Sequence, residues 1–103
     1  MRTRILDAAA KEAIEAAAWY ERERPGLGRE FAVAIDAALD LIEAGFPPLV
    51  SVPGKAGARG AKRLMLRRFP FDVVVVEVGT ERVVVAFAHQ ARRPGYWRDR
   101  LRK

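Results

Sequence analysis

The chain has 103 residues, a formal net charge of +6, one histidine and no cysteine. This length predicts a single domain over residues 1–103. The absence of cysteine excludes disulfides and thiolate metal sites, and with one histidine we expect neither a metal ion nor a cofactor. No apolar run approaches the roughly 20 residues that span a bilayer, and the first residues lack the apolar segment of a secretory signal. We therefore expect a cytoplasmic protein without membrane contact.

The positive charge is concentrated in the second half of the chain. Residues 60–103 carry 11 lysines and arginines against 4 acidic residues, whereas residues 1–59 carry 8 against 9. Such asymmetry favours an anionic partner for one face of the molecule: nucleic acid, an acidic protein segment or a phosphorylated ligand. A solubilising surface of an arginine-rich protein is the alternative interpretation.

The first half predicts two helices, from about Asp7 to Glu23 and from about Leu27 to Ala44. Pro25 to Gly28 is a turn signal, and Gly45 is placed to end the second helix. Two helices of similar length joined by a short turn predict an antiparallel hairpin. The apolar residues that recur at helical spacing are Ala10, Ala13, Ile14, Ala17 and Ala18, then Phe31, Ala34, Ile35, Ala38, Leu39, Leu41 and Ile42. Lys11, Glu12 and Glu15 are predicted to face water, as are Asp36 and Asp40.

The second half predicts strands. Residues 49–53 form a short extended piece, and a basic loop over 54–60 follows. Lys62 to Phe69 alternates between apolar and polar residues, and two valine-rich runs, Val73–Val78 and Arg82–Ala88, flank a hairpin connection. The predicted fold class is α+β: an N-terminal antiparallel helical hairpin packed on a small antiparallel sheet of three to four strands. A short C-terminal helix is expected within residues 93–101.

Chemically active side chains cluster where the last strand ends. His89 stands at that end, and Arg92, Arg93, Tyr96 and Trp97 follow within eight positions. A rigid strand that presents such residues is a common way to build an anion or nucleic-acid site. There are structural alternatives. The histidine could bond to backbone at the rim of the core, the tryptophan could pack the terminal segment onto the sheet, and the arginines could form weak surface ion pairs.

Four segments in chain order resemble the RelE/ParE superfamily of small bacterial toxins, and most closely its ParE-like plasmid stabilisation branch. They are the aromatic helix end, Pro-Gly-Leu-Gly turn and Glu-Phe of residues 16–31, then Pro47-Pro48-Leu49, the basic strand ending in Phe-Pro-Phe at residues 62–71, and the His-x-x-Arg-x-Pro-x-x-Trp pattern of residues 89–97. The resemblance implies a type II toxin that is neutralised by a cognate antitoxin. The resemblance does not settle the target: ParE-like members are associated with inhibition of DNA gyrase, and several members of the plasmid stabilisation branch have no clear target.

The same superfamily offers an enzymatic alternative, because RelE-like members cut mRNA on the ribosome. His89, Arg92, Arg93 and Tyr96 are the candidate catalytic residues for this reaction, as base, cations and acid. Against it, Asp72 stands where RelE-like nucleases carry an arginine, and a carboxylate would repel the scissile phosphate. We therefore favour binding of a macromolecular target over hydrolysis. The predicted recognition residues are Arg63, Arg67, His89, Arg92, Arg93, Tyr96 and Trp97.

Overall fold

The computed structural model describes residues 2–45, 49–52, 54–55, 60–93 and 95–101. In chain order the elements are β1 (Arg2–Ile5), α1 (Asp7–Glu23), α2 (Leu27–Ala44), β2 (Val50–Ser51), β3 (Lys62–Met65), β4 (Phe71–Val78), β5 (Glu81–His89) and a 3₁₀ helix (Arg98–Leu101). The strands form one sheet in the order β1-β5-β4-β3-β2. The predicted α+β class is confirmed. Within the described part of the chain, no helix is both long enough and apolar enough to cross a membrane.

The helical hairpin is closed by a carboxylate at its turn. Gly26 precedes α2 in a left-handed conformation and has no side chain to cap the helix. Glu21 of α1 takes over this role, since its carboxylate accepts the N–H groups of Gly26 at 3.0 Å and of Gly28 at 3.1 Å. The helices also approach closely here, because a Cβ placed on Gly28 would lie 2.5 Å from the carbonyl oxygen of Ala17. The alanine-rich face of α1 therefore allows the tight hairpin.

The predicted apolar stripe of the hairpin is wider than the face that is buried. Ile14 is 69% exposed, and Ala18 and Leu41 are also exposed. Because the hairpin packs on one face of a small sheet, only a narrow strip of side chains on each helix is buried in the core. On α1 that line runs through Ala9, Ala13, Ala16, Ala17 and Tyr20.

The sheet has five strands rather than three to four, and it is mixed rather than wholly antiparallel. β2, β3, β4 and β5 pair antiparallel, whereas β1 pairs parallel to β5. The sequence did not predict β1 because Arg2–Ile5 is mostly exposed and has no apolar alternation. The predicted C-terminal helix is a single 3₁₀ turn of four residues. Most of the predicted basic loop lies outside the described residues.

The central strands β4 and β5 are buried on both faces, as continuous valine runs indicate. One face packs against the hairpin, through residues such as Val73, Val84 and Phe87. The other face forms a second cluster that includes Val74, Val83, Val85, Ala88 and Trp97. Trp97 belongs to the segment that follows β5, so this segment folds back over the face opposite the helices.

A β-bulge interrupts the pairing of β4 with β5. Val74 pairs with Ala86 and Val75 pairs with Val84, which leaves Val85 as an extra residue on β5. A bulge leaves backbone groups of the extra residue outside the regular ladder. The carbonyl of Val85 accepts a hydrogen bond at 2.9 Å from the guanidinium of Arg100 in the 3₁₀ helix. The bulge thus provides an attachment point for the C-terminal segment.

Candidate functional site

Most of the residues predicted for the site meet at one end of the sheet. A shallow cavity opens where β4, β5 and the C-terminal segment come together. Its lining includes Arg63, Asp72, His89, Gln90, Arg92, Arg93, Tyr96 and Trp97. Arg67 is the predicted residue that does not line this cavity; it is exposed, two residues beyond the end of β3. The structure therefore groups the residues from the strand end with Arg63 from β3.

His89 is held in one tautomer by its own turn. Its Nδ1 accepts the backbone N–H of Ala91 at 3.0 Å, and its ring packs edge-on against Phe71 with the ring centres 5.1 Å apart. A nitrogen that accepts a backbone N–H carries no proton, so the neutral ring has its proton on Nε2. Neutral His89 can therefore donate a hydrogen bond to an anion, but it has no free nitrogen lone pair with which to act as a base.

Asp72 is buried and paired. It is 5% exposed, its Oδ2 lies 3.2 Å from a guanidinium nitrogen of Arg63, and its Oδ1 accepts the side-chain N–H of Gln90 at 3.0 Å. The sequence suggested that this carboxylate would repel a phosphate. In the fold its main effect is on Arg63, since the pair neutralises the one cation that β3 contributes to the cavity.

Arg92 and Tyr96 form a stacked unit. The guanidinium carbon of Arg92 lies 3.7 Å from the centre of the Tyr96 ring, and the Tyr96 hydroxyl donates a hydrogen bond to Glu12. Burial, and then the hydrogen bond to Glu12, raise the pKa of Tyr96 far above its usual value. Tyr96 is half-buried, and its hydroxyl stays protonated. Arg93, by contrast, is exposed.

Trp97 packs against the sheet face that is opposite the helices, next to the site. It is 6% exposed and packs in the second apolar cluster, beside Val85 and Ala88. This matches the packing alternative for the tryptophan. Because the Trp97 ring is covered, it offers no free face on which a nucleic-acid base could stack, and Arg92 already occupies one face of the Tyr96 ring.

Glu12 contacts the candidate site, although no sequence pattern indicated this. It was expected to face water, yet its side chain is only 16% exposed, and it accepts hydrogen bonds from Arg100 at 2.7 and 3.0 Å. These partners lie 88 residues apart in sequence. Glu12 shares its helix with other surface-type acids such as Glu15, so no local pattern distinguishes it.

The cavity itself is small, with a volume of about 40 Å³. Pockets for small organic ligands are typically about 300 to 1,000 Å³. The site therefore suits contact with an anionic group presented on the surface of a larger partner. Its exposed cations Arg92 and Arg93, with the Nε2 donor of His89, can bind carboxylates or phosphates.

Comparison with known proteins gives one informative result. No family model and no curated protein matches the sequence. A chain in the solved structure of the chromosomal ParDE TA system from P. aeruginosa matches with a TM-score of 0.71 and 17% sequence identity. The match covers 86% of this chain and 95% of that chain. At this identity the likeness establishes the fold, which is ParE-like, as the sequence resemblance implied.

Proposed function

We propose that this protein is the toxin of a type II toxin–antitoxin module, of ParE-like kind, and that a cognate antitoxin neutralises it in the cytoplasm. The observation that carries the proposal is the fold shared with a chain of a ParDE TA system over most of both chains. The four ParE-like sequence segments add support, because they occur in the same order along a chain that adopts this fold.

The proposed mode of action is binding rather than hydrolysis. RNA cleavage needs a base near the ribose hydroxyl and unpaired cations near the phosphate. His89 uses its Nδ1 lone pair on Ala91, and the burial and Glu12 contact of Tyr96 keep its hydroxyl protonated. Arg63 is paired with Asp72. These contacts favour a recognition surface over a nuclease site, and a RelE-type mRNA endonuclease is the alternative.

DNA gyrase is the first target to test, since ParE-like toxins, which this sequence resembles, are associated with its inhibition. The ribosome with its mRNA is the target of the alternative. In either case the exposed arginines of the C-terminal segment would meet an acidic surface, because residues 60–103 carry the whole excess of positive charge.

The decisive experiment is induced expression in a bacterial host, alone and together with any small open reading frame found directly upstream or downstream of its gene. We expect the chain alone to arrest growth and the co-expressed antitoxin to restore it. Growth that continues at full rate while the protein accumulates in folded form would contradict the proposal.

The target is tested in the same cells. Inhibition of gyrase predicts DNA breaks and no new mRNA ends, whereas an endonuclease predicts cuts at defined codon positions. Arg93→Ala should weaken growth arrest by up to about fivefold in inducer dose, since an exposed charge pair to a partner contributes on the order of 1 kcal/mol. Arg22→Ala, an exposed arginine of α1, is the matched control and should leave the arrest unchanged.

A further inference from the structure

The segment after β5 contains little regular structure, yet it presents the exposed arginines of the site. Its described part includes a turn after His89 and the four-residue 3₁₀ helix. Short turns of this kind are not stable alone, so another part of the molecule has to order them. Glu12, on the second turn of α1, is the group in contact with both ends of the segment.

The contacts of Glu12 join three parts of the fold. Its Oε1 accepts the backbone N–H of Phe87 at 3.2 Å and a guanidinium N–H of Arg100 at 2.7 Å. Its Oε2 accepts the Tyr96 hydroxyl and a second guanidinium N–H of Arg100 at 3.0 Å, and it lies 3.8 Å from a guanidinium nitrogen of Arg92. One carboxylate therefore connects α1, β5 and the C-terminal segment.

The sheet edge explains why a carboxylate is needed at this position. β1 pairs with β5 only as far as Ile5 opposite Val84, so β5 continues without a neighbouring strand on that side. Beyond this point Arg100 satisfies the Val85 carbonyl and Glu12 satisfies the Phe87 N–H. Leaving these backbone groups without partners would be unfavourable because Val85 and Phe87 are buried. The side chains of Glu12 and Arg100 thus supply the hydrogen bonds that a neighbouring strand would give to this part of β5.

We infer that Glu12 is a positioning residue for the recognition surface: it fixes Tyr96 and Arg100, and through Tyr96 it fixes the stacked Arg92. This inference rests on the proposed function for its biological meaning, but the ordering itself is a property of the free protein. Without Glu12, the sheet and hairpin keep their own cores. The segment after His89 keeps Trp97 in the second apolar cluster and the Arg100–Val85 hydrogen bond, but it loses the carboxylate that holds Tyr96 and Arg100.

Amide hydrogen exchange on the purified protein tests the ordering. In the segment, the backbone N–H groups of Arg92, Tyr96, Arg98 and Arg100 donate to backbone carbonyls and should be protected. Glu12→Ala should speed exchange at Arg98 and Arg100 by about tenfold or more, the effect of losing a charge-assisted hydrogen bond. Exchange at Val73 and Val75 in the central ladder should change by less than about threefold. Glu12→Gln, which keeps an acceptor oxygen, should fall between wild type and Glu12→Ala.

Glu15→Gln is the control, since Glu15 is an exposed acid one turn away whose nearest cation is Lys11 at 3.9 Å. It should leave exchange unchanged throughout. Two results would overturn the inference: unchanged exchange at Arg98 and Arg100 in Glu12→Ala, or acceleration by one common factor across segment and ladder, which is the signature of a purely structural role.

Growth arrest supplies the functional readout. It is measured at a temperature where the central strands of the Glu12→Ala variant remain protected from hydrogen exchange. Loss of arrest under that condition supports positioning. Full growth arrest despite rapid exchange in the segment would show that an ordered segment is not required for toxicity. That result would overturn the positioning role of Glu12. A wild-type chain that does not arrest growth overturns the proposed function instead, while the exchange data still decide whether Glu12 orders the segment.

Discussion

Asp72 shows how a single carboxylate sets the charge of the candidate site. The Arg63 guanidinium is only partly exposed, and Asp72 faces it at 3.2 Å. The Arg63 Nε is buried and has no hydrogen-bond partner among the described residues. Removing one member of such a pair leaves the other charge poorly solvated, which is more costly than the pair is favourable. The pair therefore affects stability as well as the charge of the candidate site.

We predict that Asp72→Asn lowers the free energy of unfolding by about 1 to 3 kcal/mol, because a partly buried ionic hydrogen bond is lost. A double-mutant cycle with Arg63→Met, measured by urea unfolding, should give a coupling energy of about 1 kcal/mol or more. The exposed pair Lys11–Glu15 is the control and should give about 0.5 kcal/mol or less. Equal coupling in the two cycles would contradict this account of Asp72.

For the substitution Gly28→Ala, helix propensity and packing predict opposite changes in stability. Propensity alone predicts that Gly28→Ala stabilises α2 by up to about 1 kcal/mol. The structure predicts destabilisation by about 1 to 3 kcal/mol, because the new methyl group would lie 2.5 Å from the Ala17 carbonyl and force the hairpin apart. Thermal unfolding of the variant decides between them, and a higher melting temperature would show that the close approach is not rigid.

At the scale of elements, α2 separates buried from exposed apolar residues more sharply than its sequence does. Ile35 is 6% exposed and Val33, two positions earlier, is 59% exposed. We predict that Ile35→Ala costs about 2 to 5 kcal/mol of unfolding free energy. Val33→Ala should stay within about 0.5 kcal/mol. Chemical denaturation of the two variants measures both, and a comparable loss in each would mean that Val33 is covered in solution.

Elements with local signals were predicted well. Both helices begin and end where the sequence placed them, because Pro25, Gly26 and Gly45 mark the ends whatever the tertiary context. β1 was missed since it exists through pairing with Glu81–Val84, nearly 80 residues away along the chain. A short, exposed edge strand carries no apolar periodicity, so only the folded sheet reveals it.

The candidate site was predicted in part for the same reason. His89 lies at a strand end because the apolar run stops there, and this is visible in the sequence. The tautomer of His89 depends on the turn that brings the Ala91 N–H to Nδ1. The contacts of Glu12 depend on partners that lie 75 to 88 residues later in the chain. Such contacts are set by the tertiary fold, so residue type and spacing alone could not predict them.

At the scale of the whole molecule, charge and architecture coincide. The hairpin, with its acidic residues, covers one face of the sheet, and the segment carrying Arg92 and Arg93 covers the other. Residues 60–103 hold 11 basic against 4 acidic residues. A partner that approaches the end of the sheet therefore meets a positive surface, and electrostatic attraction should steer its approach.

The proposed toxin role predicts that binding of a cognate antitoxin depends on salt. Raising the salt concentration from about 50 to 500 mM should raise the dissociation constant by roughly tenfold or more. At high ionic strength, charges more than a few ångströms apart are screened from each other. Titration calorimetry at several salt concentrations measures this. Arg93→Glu should reduce both the affinity and its dependence on salt, whereas Arg22→Glu on α1 should change neither by more than about twofold. A salt-independent affinity would instead indicate recognition through exposed apolar residues of the hairpin, such as Trp19 and Leu41.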